Sequence, residues 1–471
     1  MENKRQEHDT LGDVKVPEKA YYGAQTVRAI NNFPISGLKP GSAYVSSTVI
    51  IKKAAAIVNH KLGLLPEDKM NAIVKASDEI LTGSLADQFV VDPYQAGAGT
   101  SHNMNVNEVI ANRANEIMGA PLGSYHFIHP NDDVNQSQST NDIIPTAIRL
   151  TVLKTTPELL KRISSLKETF SKKAQEFEGI IKSGRTHLQD ALPVTLGAEF
   201  SAYARALEND IQRIERAADN LLKLGIGGTG VGTGINSHKD YHREMVGELK
   251  NLTGFQLKTN DNLFEAMQNT ADFLEYSSSL RILSQTLVRI GNDLRLLSFG
   301  PRAGLAEIIL PKVQPGSSIM PGKVNPSIIE MMTMVCFQVI GIDTAVLLSS
   351  QAGQFELNVM LPLIAHDLPE QIKLLTNAIE ILNTKCVSGI EANKEMCRFW
   401  FERSAGIAAI LNHHLGYEKT AEVVNFALSK NMSIKDAVLE KKYLAPETVE
   451  HIFKIENLTR PQDGDAGGEE K

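Results

Sequence analysis

The chain has 471 residues, of which 42% are hydrophobic and 22% are charged. This length and composition exclude a disordered or collagen-like protein and predict roughly three structural units around large cores. The formal net charge of −7 argues against a protein that binds a phosphate backbone, so we expect no nucleic-acid partner.

Residues 1–140 are predicted to form a mainly helical N-terminal domain. The first residues are polar and have no apolar core, so they do not resemble a signal peptide. Turn-forming glycine and proline punctuate the chain up to residue 41, and helical patterning starts after them. Strand signals are sparse, and the short apolar run at 89–91 is the candidate that could pair.

Residues 141–395 are predicted to form a central domain of long helices, with a loop near 316–326. No proline occurs between Pro193 and Pro301, an absence that is typical of long helices. Further long helices are expected at about 198–224, 327–349 and 361–384.

Apolar side chains in this domain recur at alternating steps of three and four, the spacing of a helix packed in a bundle. The main stripe consists of Phe273, Tyr276, Leu280, Leu283, Leu287, Ile290, Leu294 and Leu297. A weaker line consists of Ile163, Leu166, Phe170, Ala174, Phe177 and Ile181. Apolar positions beside the main stripe widen it, so such a helix needs several neighbours. We therefore expect a long-helix bundle that assembles as an oligomer.

Residues 396–471 are predicted to form a small C-terminal helical domain, with an acidic, glycine-rich and disordered tail from 461. Cys336, Cys386 and Cys397 have no metal-ligand spacing, so we expect reduced thiols and no dedicated metal site. No run approaches the roughly 18 apolar residues that span a bilayer. We therefore expect a cytoplasmic protein without membrane contact.

Four polar segments interrupt the helical pattern, and each places hydroxyl or amide side chains next to a helix start. They comprise residues 97–108, 129–142, 184–190 and 316–326. Free N–H groups at helix starts favour anions, and several of them beside Lys323 would suit a small dicarboxylate. In the last segment, Asn325 is a candidate N-cap and Pro326 a candidate first helical residue. Ordinary helix capping is the alternative for each segment taken alone.

A glycine-rich run covers residues 225–236. It lacks the Gly-Lys-Ser/Thr ending of a phosphate-binding loop and follows a predicted helix rather than a strand. A tight crossing between helices, which uses the conformational freedom of glycine, is the preferred interpretation. Acyl-transfer chemistry is disfavoured as well, because Ser317 and Ser318 stand in neither GxSxG nor SxxK spacing.

The run GSSIMPGKVNP at 316–326 resembles the signature of the aspartase/fumarase superfamily, and the other three polar segments match its remaining blocks in order. The resemblance covers essentially the whole chain. It implies an all-α, three-domain lyase subunit whose long central helices form the twenty-helix core of a homotetramer. It also implies active sites that are each built from three subunits.

The resemblance also implies roles for individual residues. Ser317 resembles the catalytic base, Lys323 and Asn325 the clamp on one carboxylate, and Glu330 the partner that orients His187. The implied substrate-binding set is Thr100, Ser101, Ser139, Thr140, Asn141, Thr186, Ser318 and Asn325. His129, Asn131 and Asp132 resemble a second dicarboxylate site.

Within the superfamily, the runs at 100–105 and 139–142 resemble the aspartase branch. That branch implies reversible anti elimination of ammonia from L-aspartate to give fumarate, through an aci-carboxylate intermediate. No organic cofactor is implied, and activation by Mg²⁺ is known among relatives. The alternatives are a class II fumarate hydratase that acts on L-malate, another lyase acting on succinyl-type substrates, and a non-catalytic crystallin-like protein.

Overall fold

The computed structural model describes residues 3–460, so the predicted disordered tail lies outside the described residues. Its contacts divide the chain into two compact units. The first unit comprises the described residues up to Lys161, Asp210–Ser284 and Cys336–Thr376. The second comprises Arg162–Asn209, Gln285–Val335 and the described residues from Asn377. The predicted boundaries at 140 and 395 remain predictions, because these units are discontinuous in sequence.

The described chain is predominantly helical, which confirms the predicted all-α class. The first eight helices are α1 (Ala24–Asn32), α2 (Ser42–Lys61), α3 (Glu67–Leu81), α4 (Thr100–Ile117), α5 (Thr140–Glu176), α6 (Leu196–Asn220), α7 (Tyr241–Thr253) and α8 (Leu263–Gln268). The remaining helices are α9 (Ala271–Ser298), α10 (Ser327–Gln351), α11 (Leu361–Lys385), α12 (Lys394–Arg403), α13 (Asn412–Lys430), α14 (Ile434–Lys441), α15 (Pro446–Ile452) and α16 (Ile455–Thr459).

The strands are short and form four two-stranded sheets among the described residues. They are β1 (Lys4–Asp9), β2 (Gly12–Pro17), β3 (Ile181–Thr186), β4 (Gln189–Thr195), β5 (Lys223–Leu224), β6 (Lys258–Thr259), β7 (Ile308–Ile309) and β8 (Glu391–Ala392). The strand suggested at 89–91 is wrong, because these residues follow a short 3₁₀ turn and pair with no strand.

The predicted stripe lies on α9, and all eight of its side chains are buried. Burying one such side chain completely stabilises the folded state by roughly 1.5–3 kcal/mol. The weaker line follows α5 as far as Ala174, but Phe177 lies just beyond that helix and Ile181 begins β3. The other three predicted long helices correspond to α6, α10 and α11, with ends that differ by a few residues.

Helix α10 departs from expectation in its hydropathy. By length and composition it is apolar enough to cross a membrane. The expectation that no segment approaches this threshold is therefore wrong. A core helix of a bundle meets the same criterion, and large apolar side chains such as Met334 and Phe337 remain exposed on the single chain.

Candidate active site

The start of α4 is shaped by a glycine. Gly99 is the N-cap residue with φ of 93°, and no side chain caps the helix, so neither Thr100 nor Ser101 serves as the cap. A Cβ atom on Gly99 would lie 2.9 Å from Cγ1 of Ile144 on α5. The missing side chain therefore lets the start of α4 approach the first turns of α5.

The start of α5 carries three predicted site residues. The Asn141 N–H donates to Ser139 Oγ at 3.2 Å, so Ser139 caps the first turn. Asn103 of α4 donates from Nδ2 to Thr140 Oγ1 at 3.2 Å. These contacts place Thr100, Ser101 and the 139–141 segment together within the first unit.

The glycine-rich run packs against this same helix start. Asn141 Nδ2 donates to the Gly230 carbonyl oxygen at 2.7 Å, which leaves Asn141 Oδ1 as an acceptor. Asp142 Oδ2 accepts the backbone N–H groups of Gly227 at 2.9 Å and Thr229 at 3.0 Å. The preferred interpretation of close packing agrees with the geometry, since a Cβ on Gly227 would lie 2.9 Å from the His242 Cα.

Asp142 joins several parts of this region, and it is not among the predicted site residues although it directly follows Asn141. Its Oδ1 accepts the Ser139 N–H at 3.0 Å, so one carboxylate joins the α5 start to the glycine-rich run. The residue is 1% exposed, and burial raises the pKa of its carboxyl to about 6. Its partners Gly227 and Thr229 are 85 and 87 residues away, so no local pattern in the sequence indicates these contacts.

A buried polar network lies behind Ser139. Lys52 of α2 donates to Asn135 Oδ1 at 2.9 Å and to Gln138 Oε1 at 2.8 Å. Burial lowers the pKa of Lys52 to about 7 and that of His102 to about 3. His102 is therefore neutral near pH 7, and the bonds of Lys52 hold the chain immediately before Ser139.

The predicted second site forms a local cap. His129 Nδ1 accepts the N–H groups of Asn131 and Asp132, each at 3.3 Å, at the start of a short helical turn. Asn131 and Asp132 are exposed. The segment also contacts other elements, since Asn131 Oδ1 accepts from Gln25 Nε2 at 3.4 Å and Asp133 pairs with Lys69 at 2.8 Å. A dicarboxylate-binding role for it stays a prediction.

In the second unit, Thr186 and His187 lie at the tip of the β3–β4 hairpin. Thr186 pairs with Gln189, which makes His187 and Leu188 the two turn residues. Their φ angles are 57° and 56°, a left-handed conformation that costs about 1–2 kcal/mol for each non-glycine residue. Both side chains are exposed on the single chain, as an interaction with substrate or another subunit requires.

In the Ser317 loop, the predicted base accepts two backbone N–H groups of its own loop. Ser317 Oγ accepts the N–H groups of Ile319 at 3.2 Å and Met320 at 3.1 Å. Two N–H dipoles aimed at one hydroxyl oxygen favour the negative charge that a serine base must carry.

Asn325 closes this loop. Its Nδ2 donates to the Gly316 carbonyl oxygen at 2.8 Å, and the Gly316 N–H donates to the Lys323 carbonyl oxygen at 2.8 Å. The prediction that Asn325 caps α10 with Pro326 as its first residue is wrong, because α10 begins at Ser327. The side-chain amide of Asn325 instead forms its hydrogen bond within the loop.

The remaining predicted residues in and after this loop differ in their exposure to solvent. Ser318 and Lys323 are exposed, and Glu330 lies half-buried in the first turn of α10. Within residues 3–460 no hydrogen bond joins the Glu330 side chain to His187, so that pairing stays a prediction. In the same range, no group of three or more His, Cys, Asp or Glu side chains is arranged to hold a metal ion.

The chain is similar to known proteins along nearly its whole length. It matches a family model described as "Lyase" over residues 12–341 and one described as "Fumarase C C-terminus" over residues 407–460. It is 47% identical to the aspartate ammonia-lyase of Bacillus subtilis (strain 168), with 99% of this chain and 98% of that protein covered. It is 44% identical to the class II fumarate hydratase of Helicobacter pylori (strain J99), with 97% and 99% covered.

The fold is similar to a solved structure described as fumarate lyase:delta crystallin from Brucella melitensis bound to cobalt. The TM-score is 0.93 at 46% sequence identity, covering 96% of this chain and 98% of that one. The predicted superfamily is confirmed by these matches. Because the first family model covers well over half of the chain and the relatives match nearly all of it, the chain belongs to the Lyase family, with a Fumarase C C-terminal segment.

Proposed function

We propose that the chain is an aspartate ammonia-lyase that converts L-aspartate reversibly into fumarate and ammonia by anti elimination. Membership of the Lyase family and the full-length similarity to aspartate ammonia-lyases support this assignment. Within the structure, the observation that carries the chemistry is Ser317 Oγ with its two N–H donors.

In this proposal Ser317 removes a proton from the carbon next to one carboxylate of the substrate. The proton is weakly acidic, so the aci-carboxylate that forms must be stabilised as its charge develops. Thr100, Ser139, Thr140 and Ser318 are the hydroxyl donors assigned to that task. The N–H groups of Ile319 and Met320 would stabilise the negative charge that the serine oxygen needs in order to take the proton.

The second carboxylate is assigned to Lys323, Asn325 and Thr186. The amine is assigned to the region of Asn141 and His187. Since Gly230 accepts from Asn141 Nδ2, the acceptor Oδ1 remains to receive N–H groups from the substrate ammonium.

The direct experiment follows the ultraviolet absorbance of fumarate while purified protein is incubated with L-aspartate or L-malate in parallel. We expect fumarate to form far faster from L-aspartate. Faster turnover of L-malate would instead identify the alternative, a class II fumarate hydratase, which the 44% identical Helicobacter pylori relative favours. Protein that is inert towards both substrates and towards other succinyl-type compounds would indicate a non-catalytic, crystallin-like role.

We further propose a homotetramer whose active sites each take residues from three subunits. The exposed Met334 and Phe337 of α10 and the exposed tip at His187 support a partner surface. Light scattering tests the tetramer. Ser317→Ala and His187→Ala tetramers can then be dissociated, mixed and reassociated. Shared sites predict regained activity, because some sites then contain neither substitution, whereas sites built from one chain predict none.

The remaining parts of the proposal concern conditions and location. We propose a cytoplasmic enzyme that needs no organic cofactor and is activated, if at all, by Mg²⁺. Activity measured after exhaustive treatment with a chelator, and again after Mg²⁺ is added back, tests this point. Complete loss of activity with recovery by a different metal ion would contradict it.

A further inference from the structure

Beneath the hairpin that carries His187 lies a buried carboxylate without an assigned role. Glu307 is 0% exposed and accepts both arms of the Arg185 guanidinium, with Nη1–Oε2 and Nη2–Oε1 distances of 2.9 Å each. A guanidinium and a carboxylate paired through two parallel bonds fix both position and orientation. Arg185 immediately precedes Thr186 and His187 in sequence.

A second cation completes this group. Lys182, on the same strand β3, lies with Nζ 3.4 Å from Glu307 Oε2 and 2.8 Å from Glu199 Oε1. Lys182 is almost fully buried, so losing a partner would leave a charge without compensation. Two residues of one strand are thus tied to one carboxylate.

Glu307 is itself held firmly by its backbone. Its N–H donates to the Leu297 carbonyl oxygen at 2.8 Å, and its carbonyl oxygen accepts the Asn393 N–H at 2.9 Å. It lies directly before β7, which pairs with β8. The backbone of Glu307 is therefore held by elements other than the hairpin, and its carboxylate attaches the hairpin to them.

The hairpin needs such an attachment because its turn is unfavourable by itself. A two-residue turn with positive φ at both positions normally uses Asn or Gly, whereas this turn uses His187 and Leu188. The strand irregularity between Ser183 and Arg185 adds a second constraint, since a Cβ on Gly184 would lie 2.4 Å from the Leu192 carbonyl oxygen. Strained turns persist where the surrounding structure over-determines them.

We infer that Glu307 is a positioning residue for the reaction. Its carboxylate pairs with Arg185 and Lys182, and this pairing holds the strained turn that presents Thr186 and His187. This inference rests on the proposed lyase function for its kinetic consequences. Its structural part, the rigidity of the hairpin, can be measured without activity.

The test variant is Glu307→Gln, which keeps the side-chain volume and removes the charge and one acceptor. Arg185→Lys is the second variant, because a lysine keeps the charge but lacks the two-pronged geometry. Both are expected to lower kcat by about 10- to 100-fold, since small misplacements of a reacting group have effects of this size. KM is expected to change by less than about threefold, because most substrate contacts stay in place.

Glu199→Gln is the matched control within the same cluster. It removes the same charge and weakens a bond to Lys182, but it leaves the Arg185 pair intact. Burial raises the pKa of Glu199, its Oε2 accepts no hydrogen bond, and Lys182 keeps Glu307 Oε2 at 3.4 Å as a charged partner, so we expect the neutral variant to fold. We expect its kcat to lie within about twofold of the parent protein.

Two measurements decide the inference. In a His187→Ala background, Glu307→Gln should have a much smaller effect on kcat, because its effect on kcat acts through His187, whereas Thr186 is assigned to substrate binding. An undiminished effect in that background, or equal effects of Glu307→Gln and Glu199→Gln, would overturn the inference. Independently of activity, hydrogen exchange of backbone amides in residues 181–195 should accelerate in Glu307→Gln and not in Glu199→Gln. Unchanged exchange would overturn it even if the parent protein proved to act on another substrate.

Discussion

The close approach of Gly99 to Ile144 leads to a prediction about both stability and activity. Gly99→Ala introduces a methyl group where φ is 93° and where Cγ1 and Cδ1 of Ile144 would lie 2.9 and 3.1 Å away. Real Cβ atoms essentially never lie within 3.0 Å of a neighbour, and Ile144 is fully buried, so we expect the first turn of α4 to move away from α5. Thr100 follows directly and must move with it.

The size of the effect has two sources. A non-glycine residue in the left-handed region costs about 1–2 kcal/mol. Forcing a methyl group into a packed core costs about 1–3 kcal/mol more. The free energy of unfolding should therefore fall by about 2–5 kcal/mol in Gly99→Ala, and kcat/KM should fall because Thr100 is displaced.

Gly63→Ala is the matched control, because Gly63 also has a positive φ of 75° but a Cβ there would have no neighbour within 4 Å. It should show the backbone cost of about 1–2 kcal/mol alone and leave kcat/KM unchanged. Urea unfolding measures the stabilities, and fumarate absorbance measures the activities. Where refolding fails, unfolding rates at one temperature replace the equilibrium values.

Removing the opposing side chain provides the decisive comparison. Ile144→Ala alone should cost about 2–5 kcal/mol. In the Gly99→Ala background it should cost about 1–3 kcal/mol less, because the new methyl group then has space. Additive effects of the two substitutions, or equal losses in Gly99→Ala and Gly63→Ala, would show that the contact does not control the start of α4.

Other predictions follow from the same geometry. Ser317→Ala should keep the parent oligomeric state in light scattering and lower kcat on the order of a thousandfold; unchanged turnover would remove Ser317 from the mechanism. The pKa of the Asp142 carboxyl is raised from 3.8 to about 6. Its contribution to the free energy of unfolding is therefore fully present below the unfolded pKa and is lost as pH rises through 6. Asp142→Asn should remove this pH-dependent loss of unfolding free energy, which is on the order of 3 kcal/mol. Urea unfolding at about pH 4 and pH 7 measures it, and an unchanged pH dependence in the variant would refute the prediction. Burial raises the pKa values of Cys336, Cys386 and Cys397 to about 12, so a thiol-specific disulfide reagent should react with them only after unfolding in urea.

Much of the fold is visible in local sequence patterns. The stripe on α9 repeats every three or four residues, and this periodicity is a property of the helix itself. The absence of proline from 194 to 300 and the polar segments at helix starts are equally local signals. The superfamily motif at 316–326, which contains the predicted base Ser317, is likewise a local signal.

The contacts that shape the site depend on residues far apart in sequence. Asp142 meets the glycine-rich run 85 residues later, and Arg185 meets Glu307 after 122 residues. The prediction that Asn325 caps a helix is wrong for a related reason. Asn325 has the side chain of an N-cap, but the folded loop offers it the Gly316 carbonyl instead. Residue type defines which hydrogen bonds are possible, and the folded chain determines which partner is within reach.

The sequence by itself determined the helical class, the long bundle helices and the residue types that can bind a dicarboxylate. Those features depend on periodicity and chemistry within short segments. Only the tertiary structure decided that Gly99 packs against Ile144 and that the glycine-rich run accepts a hydrogen bond from Asn141. The same is true of the pairing between Glu307 and Arg185 beside the His187 turn. Each of these depends on distances between separate elements, which are set by how the whole chain packs.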